Sequence, residues 1–230
     1  MDEAPSVLVL GIGNLLWADE GFGVRAVEEF HRLYEAPENV RVTDGGTQGI
    51  YLVQHIREAD LLVVFDAVDY GLPPATMKLV EDDEVPAFLG VKKISLHQTG
   101  FQEVLAMAQM MGDYPSHLLL VGVQPVELDD YGGSLRSAVR NRIEPAIEVA
   151  VEWLARYGIS IEKRAVPLAE DETLASREMR IGVYESGRPR PEQACRLGDE
   201  RLLADSGYAG PADFETEIDA LLRSPDGGRG

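Results

Sequence analysis

Three residues have side chains that bind divalent metals and are predicted to lie at the ends of strands. Glu20 follows the first apolar strand, at the start of the next helix, and Asp66 directly follows the apolar residues 61–65. His97 is predicted to end a later strand, residues 91–96. The carboxyl ends of parallel strands meet at one edge of an open α/β sheet, so the three side chains can face one crevice. Two carboxylates and an imidazole suit a borderline divalent metal, although they do not select nickel over zinc or manganese.

Each of these residues also has an ordinary structural role open to it. Glu20 could be only a first-turn helix carboxylate, Asp66 could cap the turn after its strand, and a single histidine such as His97 is more often structural than a ligand. Their joint placement at strand ends favours a site. A further acid, Asp44, begins the predicted loop Asp44-Gly45-Gly46-Thr47 at the same edge. Its glycines permit a substrate peptide to approach the backbone, or form an ordinary turn.

The turn Gly11-Ile12-Gly13-Asn14 suggests a second kind of site, for a dinucleotide. That pattern needs a third glycine, and Leu16 stands in its place. The turn therefore serves mainly to leave the strand, with its backbone N–H groups able to point into the crevice. No Gly-x-Ser-x-Gly elbow is present, and the single cysteine, Cys195, has no histidine near it in sequence. A covalent serine or cysteine mechanism is therefore disfavoured.

The elements that must position these residues alternate between strands and helices. Residues 7–10 and 61–65 are continuous apolar runs, typical of strands buried in a parallel sheet. Helical spacing of apolar residues predicts helices over residues 19–34 and 135–157. This alternation predicts an α/β fold, a three-layer α-β-α arrangement around a mainly parallel twisted sheet.

Composition limits the partners and divides the chain near residue 160. Residues 1–160 carry the strands and helices, and residues 161–230 form an irregular C-terminal extension, predicted to be partly disordered, to which the sequence assigns no role. The chain has 40 acidic and 21 basic residues, a net charge of −19, which disfavours nucleic acid and an anionic membrane surface. The start of the chain lacks a signal peptide pattern. We expect a cytoplasmic monomer.

Five sequence motifs follow one another along the chain. In order, they are Val9-Leu10-Gly11-Ile12-Gly13-Asn14-Leu15-Leu16, Asp19-Glu20-Gly21-Phe22-Gly23-Val24, Asp44-Gly45-Gly46-Thr47, Phe65-Asp66-Ala67-Val68-Asp69 and Ser95-Leu96-His97-Gln98. Taken together, these motifs resemble those of the NiFe-hydrogenase maturation endopeptidases, and the resemblance covers residues 6–158. The motif His97-Gln98-Thr99-Gly100-Phe101 looks like that of the branch that serves membrane-bound uptake hydrogenases.

The resemblance implies a five-stranded sheet between helices and an endopeptidase that removes a short C-terminal extension from the hydrogenase large-subunit precursor after nickel insertion. It places Glu20, Asp66 and His97 at the family's metal-binding positions and Asp44 at an acidic position tied to activity. The nickel is expected to arrive with the substrate, and the catalytic carboxylates are expected to be Asp44, Glu20 and Asp66. Two alternatives stay open, a non-catalytic chaperone that checks for nickel and a nucleotide-dependent α/β oxidoreductase.

Overall fold

A computed structural model describes residues 4–86 and 96–188 of the 230-residue chain. In the helix that begins at Leu96, side chains are described only from residue 100 onward. Within the C-terminal extension, sequence patterns also predict two short helices, over residues 198–205 and 212–223. These residues and Cys195 lie outside the described part. Within that part, no helix combines the length and apolar content needed to cross a bilayer.

Five strands form one twisted sheet in the order β3-β1-β4-β6-β5. The first four in that order are parallel, and β5 runs antiparallel to β6 at the edge. Every residue of β1 and β4 is buried, which explains why both strands are continuous apolar runs. The strands are β1 (Val7–Ile12), β3 (Val40–Gly46), β4 (Leu61–Ala67), β5 (Met77–Glu81) and β6 (His117–Val123).

Helices cover both faces of this sheet and give it two apolar cores. Alternate strand residues such as Val9 and Val63 pack against helices α1 and α5, whereas Leu10 and Val64 pack against α2 and α3. The predicted three-layer α/β fold is therefore confirmed. The helices are α1 (Phe22–Leu33), α2 (Val53–Arg57), α3 (Leu96–Met110), α4 (Ser137–Arg140) and α5 (Ile143–Ala155).

Three local predictions were wrong. Residues 44–46 belong to β3 rather than to a loop, because an irregularity at Gly11/Ile12 and the positive φ of Gly46 let pairing continue. The helix predicted over 135–157 divides at residues 141–142, which puts Pro145 in the first turn of α5, where its missing N–H is tolerated. His97 does not end a strand.

His97 is instead the second residue of α3. This helix begins at Leu96, which the sequence predicted to lie in a strand, and its residues Phe101, Val104 and Leu105 are buried at helical spacing. Residues 91–95 of that predicted strand lie outside the described part of the chain.

The segment after residue 160 packs onto the domain as far as it is described. The short strand β7 (Glu162–Lys163) pairs antiparallel with β2 (Tyr34–Glu35) just after α1. A short helix, α6 (Ile181–Ser186), follows further on. The described residues up to Arg188 belong to one compact unit, and the predicted domain boundary at residue 160 stays a prediction.

Candidate active site

Glu20 is held at the carboxyl end of β1 by a close approach between two backbone segments. It lies in a 3-10 helix, Ala18–Gly21, that precedes α1. The carbonyl of Glu20 lies where a side chain on Gly13 would be, 2.0 Å from an ideal Cβ, and Gly13 has a φ of +141°. The carbonyl also accepts a hydrogen bond of 3.1 Å from the N–H of Asn14. Only glycine at position 13 allows this approach, which fixes Glu20 at the edge of the sheet.

Asp66 lies at the end of β4 and is fully buried. A second glycine brings it close to the Glu20 segment: Gly23 of α1 packs directly on the carbonyls of Phe65 and Ile12, 2.1 and 2.3 Å from its ideal Cβ position. The 3-10 helix that carries Glu20 also contacts β4. The structure thus brings Glu20 and Asp66 to the same edge of the sheet, as the sequence predicted.

Asp44 lies in β3 at the same edge and is half-buried. Its Oδ1 is shielded from solvent and has no hydrogen-bond partner among the described residues. Burial raises the pKa of Asp44 above its ordinary value, although the Gly46 N–H and the Arg25 guanidinium act in the opposite direction. A carboxylate with a raised pKa is a stronger base than an exposed one, and Oδ1 of Asp44 can accept a proton.

Arg25 and Glu28 on α1 lie next to Asp44. The Arg25 side chain is only 4% exposed and donates to Glu28 over 2.8 Å. Burial raises the pKa of Glu28, against the effect of Arg25, and the Asp44 carboxylate adds to the rise. The buried positive charge of Arg25 therefore offsets part of the negative charge of Glu28 and Asp44.

The loop after β4 forms another side of the site. Gln124, 7% exposed at the end of β6, accepts the N–H groups of Tyr70 and Leu72 over 2.9 and 3.1 Å and donates to Asp69 over 2.8 Å. Burial, together with the nearby Asp66 carboxylate, raises the pKa of Tyr70 above its ordinary value. The Tyr70 hydroxyl therefore stays protonated beside Asp66.

The backbone of His97 lies in the first turn of α3. Three residues later, Gly100 lies close to Gly49, in the segment that follows β3: an ideal Cβ on Gly100 would be 3.7 Å from the Cα of Gly49. The start of α3 is therefore near the edge where β3 ends, but the side chain of His97 is not among those described. No group of three His, Cys, Asp or Glu side chains able to hold a metal occurs among the described side chains. The predicted trio of Glu20, Asp66 and His97 stays a prediction.

The glycine turn after β1 is used for internal packing. The N–H of Gly13 donates to the Gly46 carbonyl over 3.0 Å, and that of Asn14 donates to Glu20. These two groups do not point into the crevice as a phosphate site would require, contrary to the sequence-based expectation. The turn offers no support for a nucleotide-dependent oxidoreductase.

Sequence reasoning missed Asp19 and Arg25, both of which are buried. The two oxygens of Asp19 accept three backbone N–H groups from residues 126, 127 and 136, over 2.7 to 2.9 Å. The sequence feature that could have identified Arg25 is its positive charge within the otherwise apolar sequence Val24-Arg25-Ala26-Val27. For Asp19, only its place directly before Glu20 was available.

Comparisons with known proteins match this chain to one family. A family model described as hydrogenase maturation protease, HycI, matches residues 24–153, which include Asp44, Asp66 and His97. The hydrogenase expression/formation protein HupD of Thiocapsa roseopersicina is 65% identical over 203 residues, covering 88% of this chain and 92% of its own. The corresponding protein HoxM of Azotobacter vinelandii is 59% identical over 200 residues, covering 87% of this chain and 95% of its own.

A solved structure has the same fold. The hydrogenase maturating endopeptidase HybD from E. coli matches with a TM-score of 0.66 and 38% identity, covering 70% of this chain and 98% of its own. The family model spans more than half of this chain, and the relatives match along most of their length at high identity. The resemblance found in the sequence is therefore confirmed, and this chain belongs to the hydrogenase maturation proteases.

Proposed function

We propose that this chain removes the C-terminal extension of a NiFe-hydrogenase large-subunit precursor, and that it cuts only a precursor that carries nickel. The observation that carries the proposal is the placement of two carboxylates, Glu20 and fully buried Asp66, at one edge of the sheet beside the half-buried base Asp44. The names of the relatives tie them to hydrogenase formation and maturation.

In this proposal, nickel belongs to the substrate rather than to the protease. The precursor holds the ion through its own ligands, and Glu20, Asp66 and the imidazole of His97 add to its coordination when the proteins bind. Carboxylates and imidazole are suitable ligands for such an ion. A precursor without nickel has no ion for these three side chains to coordinate, so its scissile peptide bond is not held in position. Recognition of the metal and positioning of the peptide bond therefore occur together.

The reaction is hydrolysis, with Asp44 as the proposed general base. A water oxygen forms a bond to the scissile carbonyl carbon, and Asp44 accepts the water proton. The C–N bond then breaks, and the proton passes to the leaving nitrogen. The raised pKa of Asp44 suits both halves of this transfer. Glu20 and Asp66 orient the metal-bearing segment next to this base.

The test is intact-mass measurement of the precursor after incubation with the purified full-length chain. We expect loss of a C-terminal peptide from nickel-loaded precursor and no change in nickel-free precursor. Glu20→Gln, Asp66→Asn and His97→Ala should each slow cleavage by about 100-fold or more. Two matched controls, Glu38→Gln and His55→Ala, should cut at the wild-type rate. Glu38 is an exposed carboxylate before β3, at the opposite edge of the sheet, and His55 lies on α2.

Two results separate the alternatives. Binding of nickel-loaded precursor without any mass change would indicate a chaperone that checks for nickel. Equal cleavage of loaded and nickel-free precursor, or full activity in the Glu20, Asp66 and His97 variants, would overturn the role proposed for the metal.

A further inference from the structure

The buried side chain of Asp19 holds the loop after β6, residues 124–136, through hydrogen bonds. We call these residues the wall loop. The N–H groups of Val126 and Glu127 donate to Oδ2 of Asp19 over 2.9 Å each, and that of Arg136 donates to Oδ1 over 2.7 Å. The N–H of Asp19 in turn donates to the Glu127 carbonyl over 3.2 Å. Because Asp19 directly precedes Glu20, the wall loop and the candidate site share one rigid connection.

The same loop also joins the turn before Glu20. The N–H of Gly132 donates to the Leu16 carbonyl over 2.7 Å, and the ring of Tyr131 packs edge-on against Trp17 with ring centres 5.1 Å apart. Leu16, Val126 and Tyr131 remain 39%, 47% and 41% exposed. Three large apolar side chains therefore face solvent on segments bonded to the Glu20-bearing helix.

The C-terminal segment also forms hydrogen bonds with the wall loop. We call residues 177–188, which include α6, the strap. Arg188 donates to both carboxylate oxygens of Asp130 over 2.7 and 2.8 Å, and the Asp130 side chain is only 12% exposed. The Tyr184 hydroxyl donates to the Gly133 carbonyl over 3.3 Å. Glu185 accepts the Ser134 hydroxyl over 2.7 Å and pairs with Arg140.

The strap is also tied to α1 behind the site. The buried guanidinium of Arg25 donates to the carbonyl of Met179 over 2.6 Å and lies 5.8 Å from the ring centre of Tyr184. Arg25 is the same cation that balances Asp44 and Glu28. The strap thus bridges two parts of the chain that border the site, α1 and the wall loop.

We propose that the strap is a positioning element for the substrate, with Arg188 as its main positioning residue. By holding the wall loop, it keeps Leu16, Val126 and Tyr131 in place to receive an apolar stretch of the precursor next to the cleavage point. This inference rests on the proposed function and adds a binding surface to it. The E. coli endopeptidase covers 70% of this chain along 98% of its own length, whereas HupD covers 88% of this chain, which is consistent with a strap added to a shorter shared core.

The test compares Arg188→Ala with Arg177→Ala, a matched change at an exposed arginine of the same strap. In Arg188→Ala, we expect KM for nickel-loaded precursor to rise about fivefold while kcat stays within about twofold of the wild-type value, because the ion pair between Nη2 of Arg188 and both oxygens of Asp130, which orders the loop, is lost. Hydrogen exchange of the amides of residues 126–136 should accelerate by about the same factor. Arg177→Ala should change neither quantity.

A purely structural role would lower the melting temperature of Arg188→Ala without raising KM at temperatures where the variant is folded. That result, or exchange in the wall loop equal to that of Arg177→Ala, would overturn the inference. Hydrogen exchange needs no substrate, so it reports on the strap even if the wild-type chain fails to cut. Failure of the proposed function would appear as no cleavage by the wild-type chain, with the exchange difference unchanged.

Discussion

Gly23 is the point where helix α1 touches the ends of two central strands, and replacing it with alanine tests how the site is held. An added Cβ would lie 2.1 Å from the Phe65 carbonyl and 2.3 Å from that of Ile12, whereas real Cβ atoms essentially never approach below 3.0 Å. Both obstacles are backbone atoms in buried strands. The helix must therefore withdraw by about 1 Å, which loosens the packing of its fully buried Phe22 and Phe30.

We expect Gly23→Ala to lower the free energy of unfolding by about 3 kcal/mol, the upper part of the usual range for overpacking. For a chain of this size, that corresponds to a fall of about 10 °C in melting temperature. Withdrawal of α1 also draws the preceding Glu20 segment away from Asp66, so cleavage at a temperature where the variant is folded should slow as well. Thermal unfolding followed by circular dichroism measures the first effect and intact-mass kinetics the second.

The matched control is Gly182→Ala, a helical glycine in the strap with no atom within 4 Å of its ideal Cβ position. There the alanine should be neutral or stabilising by up to about 1 kcal/mol, because alanine favours helix more than glycine does. If the two alanine variants unfold within about 0.5 kcal/mol of each other, the close contact between α1 and the strand ends does not exist as described.

Two further substitutions follow from the buried acids. Asp19→Asn removes the charge that accepts three N–H groups, so the free energy of unfolding in urea should fall by about 2–3 kcal/mol; an unchanged urea midpoint would contradict this. The raised pKa of Asp44 means that the folded state binds its proton more tightly than the unfolded state, so this carboxylate lowers stability as the pH rises through the folded pKa. Asp44→Asn should therefore melt higher than the wild type at neutral pH, with the difference shrinking in acid, while cleavage is lost; a difference independent of pH would refute this reading.

Local sequence patterns predicted the sheet and the placement of two candidate site residues at its edge. The apolar runs at 7–10 and 61–65 belong to strands buried on both faces, where no polar residue is tolerated until the strand reaches the edge. The first acids beyond those runs are thus the ones that the sheet presents at its carboxyl edge, which is why Asp66 and the Glu20 segment could be placed in advance.

Contacts between distant segments could not be predicted in this way. Asp19 bonds to residues more than 100 positions away. The strap contacts Asp130 through the side chain of Arg188 and Arg25 through the backbone carbonyl of Met179, and no periodic pattern marks either contact. The continuation of β3 through Asp44 depends on a bulge opposite β1 rather than on the β propensity of its glycines. In each case, tertiary hydrogen bonds outweigh the local preference on which sequence reasoning relies.

The proposed selectivity for loaded precursor depends on Glu20, Asp66 and His97 binding the nickel that the precursor brings. X-ray absorption at the nickel edge can test this binding, on nickel-loaded precursor alone and in complex with the Asp44→Asn variant, which we expect to bind without cutting. We expect the complex to gain oxygen and nitrogen ligands on nickel, and these ligands to be lost when Glu20→Gln and His97→Ala are added to that variant. An identical nickel spectrum with and without the protease would contradict it.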